Sequence, residues 1–321
     1  MVAHRSRETL VIHPGALGDV LQAVPALAAL RAAGIRGGVA LAAQRRIGRM
    51  LAAADVVDSA LPFDGLGLEA LFASDPVPAE LEARFSRFDA VVSWFGARSE
   101  PFASQLRALV PGAIVAPAAP IDASPLTVWA HLLATLAPRG VNASLPLAPL
   151  VIPEAWRDEA RRRLASLGVE GGQPLLAVHP GAGGKWKQWP PDRLARVVGS
   201  VARETGCRVL VHQGPADAEA AAALRGLVNL PTICLVEPPL ELLAAVLQEA
   251  SAFLGSDSGI SHLAAAVGAR AVILFPPVTH ARWAPWSPTA VPLEVKGSPD
   301  EFDTITRTVS GCVTARIGMG K

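Results

Sequence analysis

The sequence is poor in the residues that mark several classes of protein. Its 321 residues include only three cysteines, Cys207, Cys234 and Cys312, and no two of them have the spacing of a metal-binding or redox motif. Isolated thiols indicate a reducing compartment and argue against a disulfide framework. The H-E-x-x-H motif and clustered metal ligands are also missing from the sequence, so we expect no metal ion.

Neither sign of charge is in excess, with 29 Lys and Arg residues against 28 Asp and Glu residues. A nucleic-acid-binding protein held by phosphate contacts needs a basic surplus, so this class is not expected. The segment from Met1 to Thr9 lacks the apolar core of a signal peptide. Gln, Pro, Arg or Gly interrupts each apolar run before the ~18 residues that a membrane span needs. These absences predict a cytoplasmic protein, which could still contact the inner face of the cytoplasmic membrane at its periphery.

Common nucleotide-binding and hydrolase motifs are absent as well. The sequence has no G-x-x-x-x-G-K-[ST] phosphate loop and no G-x-S-x-G nucleophile elbow. Its first glycine turn, HPGALGD at residues 13–19, does not match G-x-G-x-x-G either. A dinucleotide site is therefore only weakly indicated.

Short β-rich runs alternate with Ala- and Leu-rich runs, and this alternation predicts an α/β protein. Predicted strands cover residues 9–13, 38–42, 56–61, 89–94, 113–115, 175–179, 208–212, 232–235, 252–255 and 271–275. Predicted helices cover residues 18–33, 44–53, 79–85, 124–136, 154–167, 191–205, 216–227, 240–249 and 258–267. A last helix is expected to begin at Ser298, with Pro299 in its first turn and Glu301 completing a capping box.

One ten-residue pattern occurs twice, as LVIHPGALGD at residues 10–19 and LAVHPGAGGK at residues 176–185. This repeat predicts two Rossmann-like lobes with mainly parallel sheets. The proline-rich segment 138–153 predicts an extended linker, which gives domains 1–150 and 151–297 and a final segment 298–321. Ligands of such sheets bind at the carboxyl ends of the strands. Lobes facing a central cleft would bring both turns to one site.

Carboxylates follow the first and third glycine turns. Asp19 stands near a helix start, where it either caps the helix or accepts a proton from an acceptor hydroxyl. The third turn is followed by Asp217 and Glu219. Either could hold ribose or sugar hydroxyls, or serve as a plain first-turn helix charge.

The second turn carries Lys185 and Lys187 just before a helix start. Ammonium groups, free N–H groups and the helix dipole together favour a phosphate there, and two solvated lysines are the alternative. Trp186 and Trp189 flank the same stretch. They either shield a bound ligand from water or pack in the core.

The fourth turn, GSDSGISH at residues 255–262, also precedes a helix. Ser258 is the expected N-cap, which leaves the N–H of Gly259 free to face an anion. His262 lies one helical turn further on the same face and can bind a diphosphate oxygen. Asp257 would repel phosphate, so we assign it to sugar hydroxyls or to holding the loop.

These four turns together resemble the bacterial heptosyltransferases of glycosyltransferase family nine, which transfer heptose from an ADP-sugar to the inner core of lipopolysaccharide. The most specific stretches are GALGDVLQAVPAL at residues 15–27, KQWP at 187–190 and SDSGISHLAAAVG at 256–268. LFPPVTHARWAPWSP at residues 274–288 is similar to the family's closing segment, although Pro276 and Pro277 stand where glycine is usual. The resemblance implies a GT-B fold and an inverting mechanism without a metal ion or another cofactor.

The resemblance also implies roles for individual residues. The family's catalytic base falls on Asp19, its phosphate lysine on Lys187 and its ribose carboxylate on Glu219. Its nucleotide-side loop falls on Asp257, Ser258, Gly259 and His262. The first lobe would bind the acceptor, the second would bind the donor, and the segment 298–321 would return to the first lobe.

The function implied is transfer of a sugar, heptose from ADP-heptose being the first candidate, to a lipopolysaccharide core or a similar glycan or lipid-linked glycan. Three alternatives stay open at this point. They are transfer of another sugar, epimerisation of a nucleotide sugar, and nucleotide-sugar binding without catalysis.

Overall fold

The computed structural model describes residues 8–34, 37–73, 76–122, 124–141, 147–298 and 300–319. The chain divides into two compact units, Met1–Pro146 and Leu147–Lys321. The division lies inside the predicted linker 138–153, of which residues 142–146 fall outside the described part. Among the described residues, no helix is both long and apolar enough to cross a membrane.

The first unit is built on a sheet of five parallel strands. They are β1 Glu8–Ile12, β2 Val39–Ala43, β3 Ser59–Pro62, β4 Phe88–Ser93 and β5 Ile114–Val115. Their order in the sheet is β3-β2-β1-β4-β5. Strands β2 and β3 lie on one side of β1, and β4 and β5 lie on the other, so the strand order reverses between β1 and β4. Because all five strands are parallel, their carboxyl ends share one edge.

Six α-helices lie in the described part of this unit. They are α1 Leu17–Gln22, α2 Val24–Ala32, α3 Arg45–Ala53, α4 Ala79–Phe85, α5 Glu100–Leu109 and α6 Val128–Ala134. The predicted single helix 18–33 is interrupted at Ala23, because Pro25 in the first turn of α2 has no N–H to continue the ladder of α1. Helix α5 was not predicted, although Ser99 caps it by accepting the Phe102 N–H and a proline follows in its first turn.

The second unit has a sheet of six parallel strands. They are β6 Leu175–His179, β7 Arg208–Gln213, β8 Thr232–Val236, β9 Ala252–Ser256, β10 Ala271–Phe275 and β11 Val291–Glu294. Their order is β11-β10-β9-β6-β7-β8, which is the dinucleotide-binding order when β6 is counted as the first strand. The edge strand β11 was not predicted, since Pro292 lies within it and its residues are half-buried.

Seven α-helices lie in the described part of this unit. They are α7 Glu154–Ser166, α8 Pro191–Thr205, α9 Ala218–Leu227, α10 Leu240–Glu249, α11 Gly259–Ala266, α12 Pro277–Trp283 and α13 Glu301–Met319. The predicted boundaries of α8 are confirmed, with Pro191 at its start and the left-handed Gly206 (φ 68°) just past its end. The short α12 was not predicted, because the two prolines that begin it suggested a stiff loop.

The last helix, α13, begins at Glu301, whereas the prediction had Ser298 as its cap and Pro299 as its first helical residue. Glu301 accepts the backbone N–H of Gly297 at 2.8 Å, and the predicted role of Pro299 falls outside the described residues. Ile305, Val309 and Val313 lie in the core of the second unit, packed with the apolar face of α8. The helix is therefore counted with the second unit, whereas the prediction set residues 298–321 apart. The expected return of this segment to the first lobe stays a prediction.

Candidate functional site

The repeated decapeptide occupies the same place in both sheets. Its two copies form β1 and β6 with the turns after them, and each strand lies beside the point where the strand order reverses. In open α/β sheets, ligands bind at the carboxyl edge at such a point. In the second sheet, His179 at the end of β6 pairs in register with Gly255 in β9, so the loops after these two strands start side by side.

A charged cluster lies at this edge of the second sheet. Nζ of Lys187 is 2.9 Å from Oδ2 of Asp257, and Nε2 of His262 is 3.6 Å from Oδ1 of the same carboxylate. The side chain of Asp257 is 4% exposed and that of Lys187 is 22% exposed. The loops after β6 and β9 thus bring together three residues that the sequence predicted separately for one site.

The carboxyl group of Asp257 stays ionised in this setting. Burial alone would raise its pKa, but hydrogen bonds and charges from His262 and Lys187 outweigh burial and hold the pKa below its ordinary value. The predicted assignment of Asp257 to the loop agrees with this geometry, because the carboxylate lies between Lys187 and His262 and contacts both. Its assignment to sugar hydroxyls stays a prediction.

The loop after β9 is fixed by serine hydroxyls. Ser258 is the N-cap of α11, as predicted, and its Oγ accepts the Ser261 N–H at 3.2 Å. Oγ of Ser256 accepts the backbone N–H of Trp189 at 3.0 Å, which ties the loop after β9 to the loop after β6. Trp189 is buried, so its core interpretation is confirmed. The N–H groups of Gly259 and Ile260 precede the first backbone acceptor of α11 and so have no partner within the helix itself.

The two carboxylates of the third turn have different surroundings. Glu219 is 86% exposed and pairs with the equally exposed Lys185 at 3.3 Å. Asp217 is 14% exposed, and its Oδ2 accepts the Gly214 N–H at 3.2 Å and lies 3.9 Å from Nε2 of His179. A Cβ atom on Gly181 would come within 1.9 Å of Oδ1 of Asp217, so only glycine lets the second turn pass this carboxylate.

A buried histidine pair links β6 and β7 behind these turns. Nδ1 of His179 is 3.0 Å from Nδ1 of His212, so one ring donates its proton and the other accepts it. Burial lowers the pKa of His179 to about 4, and burial together with the His179 charge lowers the pKa of His212 to about 3. Both rings are neutral at pH 7, and the hydrogen bond between them joins β6 to β7 behind the turns. No role was predicted for His212, although it lies near the end of its strand as His179 does.

In the first unit, the equivalent turn leads directly into α1. Oδ2 of Asp19 accepts the Ala16 N–H at 3.0 Å. The carboxylate therefore caps the helix, which was one of its two predicted roles. Gly15 leaves room for this contact, since a Cβ there would lie 2.8 Å from both Asp19 Cβ and His13 Cε1. Burial lowers the pKa of His13 to about 4, and its ring stacks edge-on against Trp94.

The described residues contain no group of three or more His, Cys, Asp or Glu side chains that could hold a metal ion. The charged groups at the edge of the second sheet are instead a lysine, a histidine and the carboxylate between them. Such a set can hold an anion if the ligand shares the lysine and histidine with Asp257.

Solved structures with similar folds support the architecture. One is a glycosyl transferase family 9 protein from Veillonella parvula, 19% identical, with a TM-score of 0.76 over 94% of this chain and 89% of that one. Another is the ADP-heptose lipopolysaccharide heptosyltransferase II of Escherichia coli, 20% identical, with a TM-score of 0.71 over 98% of this chain and 99% of that one. Together with the two parallel sheets, they confirm the predicted GT-B fold class.

Sequence comparisons point to the same family. The chain is 29% identical over 159 residues to lipopolysaccharide heptosyltransferase 3 of Escherichia coli, a match that covers 48% of this chain and 46% of that protein, so only about half of the relative's length is matched. The sequence model of glycosyltransferase family 9 (heptosyltransferase) matches residues 121–303, which is more than half of the chain. The protein therefore belongs to glycosyltransferase family 9.

Proposed function

We propose that this protein is an inverting, metal-independent heptosyltransferase that moves heptose from ADP-heptose to a lipopolysaccharide core or a similar glycan. The observation that carries the proposal is the cluster of Lys187, Asp257 and His262 at the point where the second sheet reverses its strand order. Membership of family 9, and the fold shared with an ADP-heptose lipopolysaccharide heptosyltransferase, support the choice of donor and acceptor.

The cluster would hold the donor through its diphosphate. Lys187 supplies positive charge and His262 supplies a ring nitrogen from a largely buried position, where electrostatic interactions are stronger than in water. The N–H groups of Gly259 and Ile260 in the first turn of α11 add donors and the positive end of the helix dipole. As the bond between the sugar and the diphosphate breaks, these groups would stabilise the charge that grows on the leaving ADP.

Asp19 would take the proton of the attacking acceptor hydroxyl. Its Oδ2 is held by the Ala16 N–H, which fixes the orientation of the carboxylate. Oδ1 makes no hydrogen bond within the described part of the chain, so it is the oxygen that would receive the proton. Attack from the face opposite the leaving group would invert the anomeric carbon.

Glu219, which pairs with Lys185, would hold the ribose of the nucleotide. An exposed ion pair of this kind contributes only about 0–1 kcal/mol, so a ribose hydroxyl can compete for the carboxylate. Asp217 is already engaged by the Gly214 N–H and enclosed beside Gly181. This supports a structural role for Asp217.

The acceptor would bind in the first unit, and a lipid-linked acceptor would bring the protein to the inner face of the cytoplasmic membrane at its periphery. Exposed Arg45, Arg46 and Arg49 lie together on α3 of that unit and support contact with an anionic glycan.

A panel of nucleotides tests the donor, and product analysis tests the reaction. At about 100 times its dissociation constant, ADP should stabilise the protein by about 2.7 kcal/mol, and UDP or GDP at the same concentration should stabilise it less. Incubation with ADP-heptose and a heptose-deficient lipopolysaccharide should release ADP and extend the acceptor. Equal stabilisation by UDP contradicts the donor, an altered nucleotide sugar without extended acceptor indicates an epimerase, and binding without turnover indicates a silent protein.

A further inference from the structure

The tryptophan beside the phosphate lysine is unusually open to solvent. Trp186 lies in the single 3-10 turn Lys185–Lys187 after β6 and is 63% exposed, whereas Trp189 in the same loop is buried. All seven tryptophans lie in the described part of the chain, and the other six are buried or half-buried. Isolated apolar residues are common on protein surfaces, so exposure alone assigns no role.

Its contact with Lys187 is what points to a role. Nζ of Lys187 lies 5.4 Å from the centre of the Trp186 ring, within cation–π range, and 2.9 Å from Oδ2 of Asp257. The ammonium group therefore contacts an aromatic ring and a carboxylate at once. A ligand that replaces Asp257 as the anionic partner of Lys187 would meet the same ring.

The turn is shaped to keep the indole in this position. Gly184 has an extended backbone (φ −167°), and a Cβ atom on it would lie 3.0 Å from Nε1 and 3.1 Å from Cδ1 of Trp186. A larger residue at position 184 would push the ring away from the turn. The absence of a side chain at Gly184 thus lets the indole lie close to the backbone beside Lys187.

We propose that Trp186 covers the donor diphosphate and keeps water from the reacting sugar, a role that rests on the proposed function. Water competes with the acceptor hydroxyl, because its oxygen can also bond the anomeric carbon while the bond to the diphosphate breaks and ADP leaves. An indole ring over the lysine and diphosphate removes water from one side of this site, which also strengthens their attraction. Trp186 therefore sets how the donor is divided between acceptor and water.

The first test measures this division with ADP-heptose. Free heptose and extended acceptor are counted for the wild type, W186A and W186F, with W156F on α7 as the matched control. W186A should raise the ratio of hydrolysis to transfer by about five- to tenfold, in the range of a lost cation–π contact. W186F keeps an aromatic ring and should return the ratio towards the wild-type value. An unchanged ratio in W186A overturns the proposal.

The second test uses ADP alone and needs no turnover. Acrylamide quenches the fluorescence of exposed indoles. The difference in quenching between the wild type and W186F therefore gives the contribution of Trp186. ADP should reduce this contribution by at least half in the wild type and in W156F. If the wild type transfers no heptose but ADP still shields Trp186, the proposed reaction is wrong and the cover stands. If ADP binds without shielding Trp186, or does not bind, the cover is wrong.

Discussion

The sequence His-Pro-Gly-Ala follows β1 and occurs again at the end of β6. The two copies form similar turns, but the chain continues differently after each of them. Both histidines are buried and have a pKa of about 4 because of burial, so neither is charged at pH 7. In the first unit the turn enters α1 at once and presents Asp19. In the second unit a longer loop intervenes before α8 and presents Lys187. The repeated residues build the turn, and the residues beyond the repeat supply opposite charges for different steps of the proposed reaction.

The largest effect should result from removal of the charge in the first turn. In Asp19→Asn, the side-chain oxygen can still accept the Ala16 N–H, so the helix cap is kept while the base is lost. Turnover should fall by roughly 10²–10⁴, with ADP affinity unchanged. Rates and ADP binding are measured side by side. Asp192→Asn, in the first turn of α8, is the matched control, and equal losses in both variants would remove Asp19 from the chemistry.

The corresponding change in the second turn should act on binding. Lys187→Ala removes the ammonium that faces Asp257 and leaves that buried carboxylate to repel a diphosphate. ADP affinity should fall by about 10- to 100-fold, the range of a lost charged hydrogen bond. Calorimetry is the measurement, and Lys185→Ala, which removes an 85% exposed ammonium, is the control. Wild-type affinity in Lys187→Ala would exclude it from the phosphate site.

Acidification should destabilise the second unit more than the first. The unfolded chain takes up protons on its histidines near pH 6.5, while His13, His179 and His212 in the folded protein resist protonation until about pH 4 or 3, because burial lowers each pKa. The unfolded state therefore binds more protons between these limits, and stability falls as the pH is lowered through that window. Because two of the three histidines are in the second unit, its unfolding transition should move further. Thermal unfolding followed between pH 7.5 and 5 checks this, and a midpoint that does not fall on acidification would contradict it.

The smallest effect is expected at the third turn. Glu219→Ala should weaken ADP binding by about three- to tenfold, because it removes a carboxylate proposed to hold ribose hydroxyls. The same substitution should have a smaller effect on the binding of a deoxyribose analogue of ADP. Lys185→Ala breaks the same ion pair from its other side and should leave binding nearly unchanged. Equal effects of the two substitutions would mean that the pair itself matters and that Glu219 does not meet the ribose.

The sequence was most informative where apolar runs were bounded by strong helix or strand signals. The limits of β6, α8, α10 and β10 were predicted to the residue, and Ser258 was recognised as a cap. β11 and α12 were missed because proline lies within each of them, at an edge strand and in a first helical turn, where proline is tolerated. The positions of Lys187 and His262 beside glycine turns and helix starts, together with the family resemblance, predicted that both contact a phosphate. Their shared contact with Asp257 joins segments 70 positions apart, and it results from the order of the strands.

Asp257 places a carboxylate inside the anion site that we propose for the second unit. Inorganic phosphate or sulfate would have to compete with this carboxylate, which is covalently held at close range to Lys187 and His262. A nucleotide sugar has further points of attachment along its length, so it can win where a small ion does not. At the proposed donor site, the carboxylate that repels the diphosphate would therefore also disfavour the binding of small free anions.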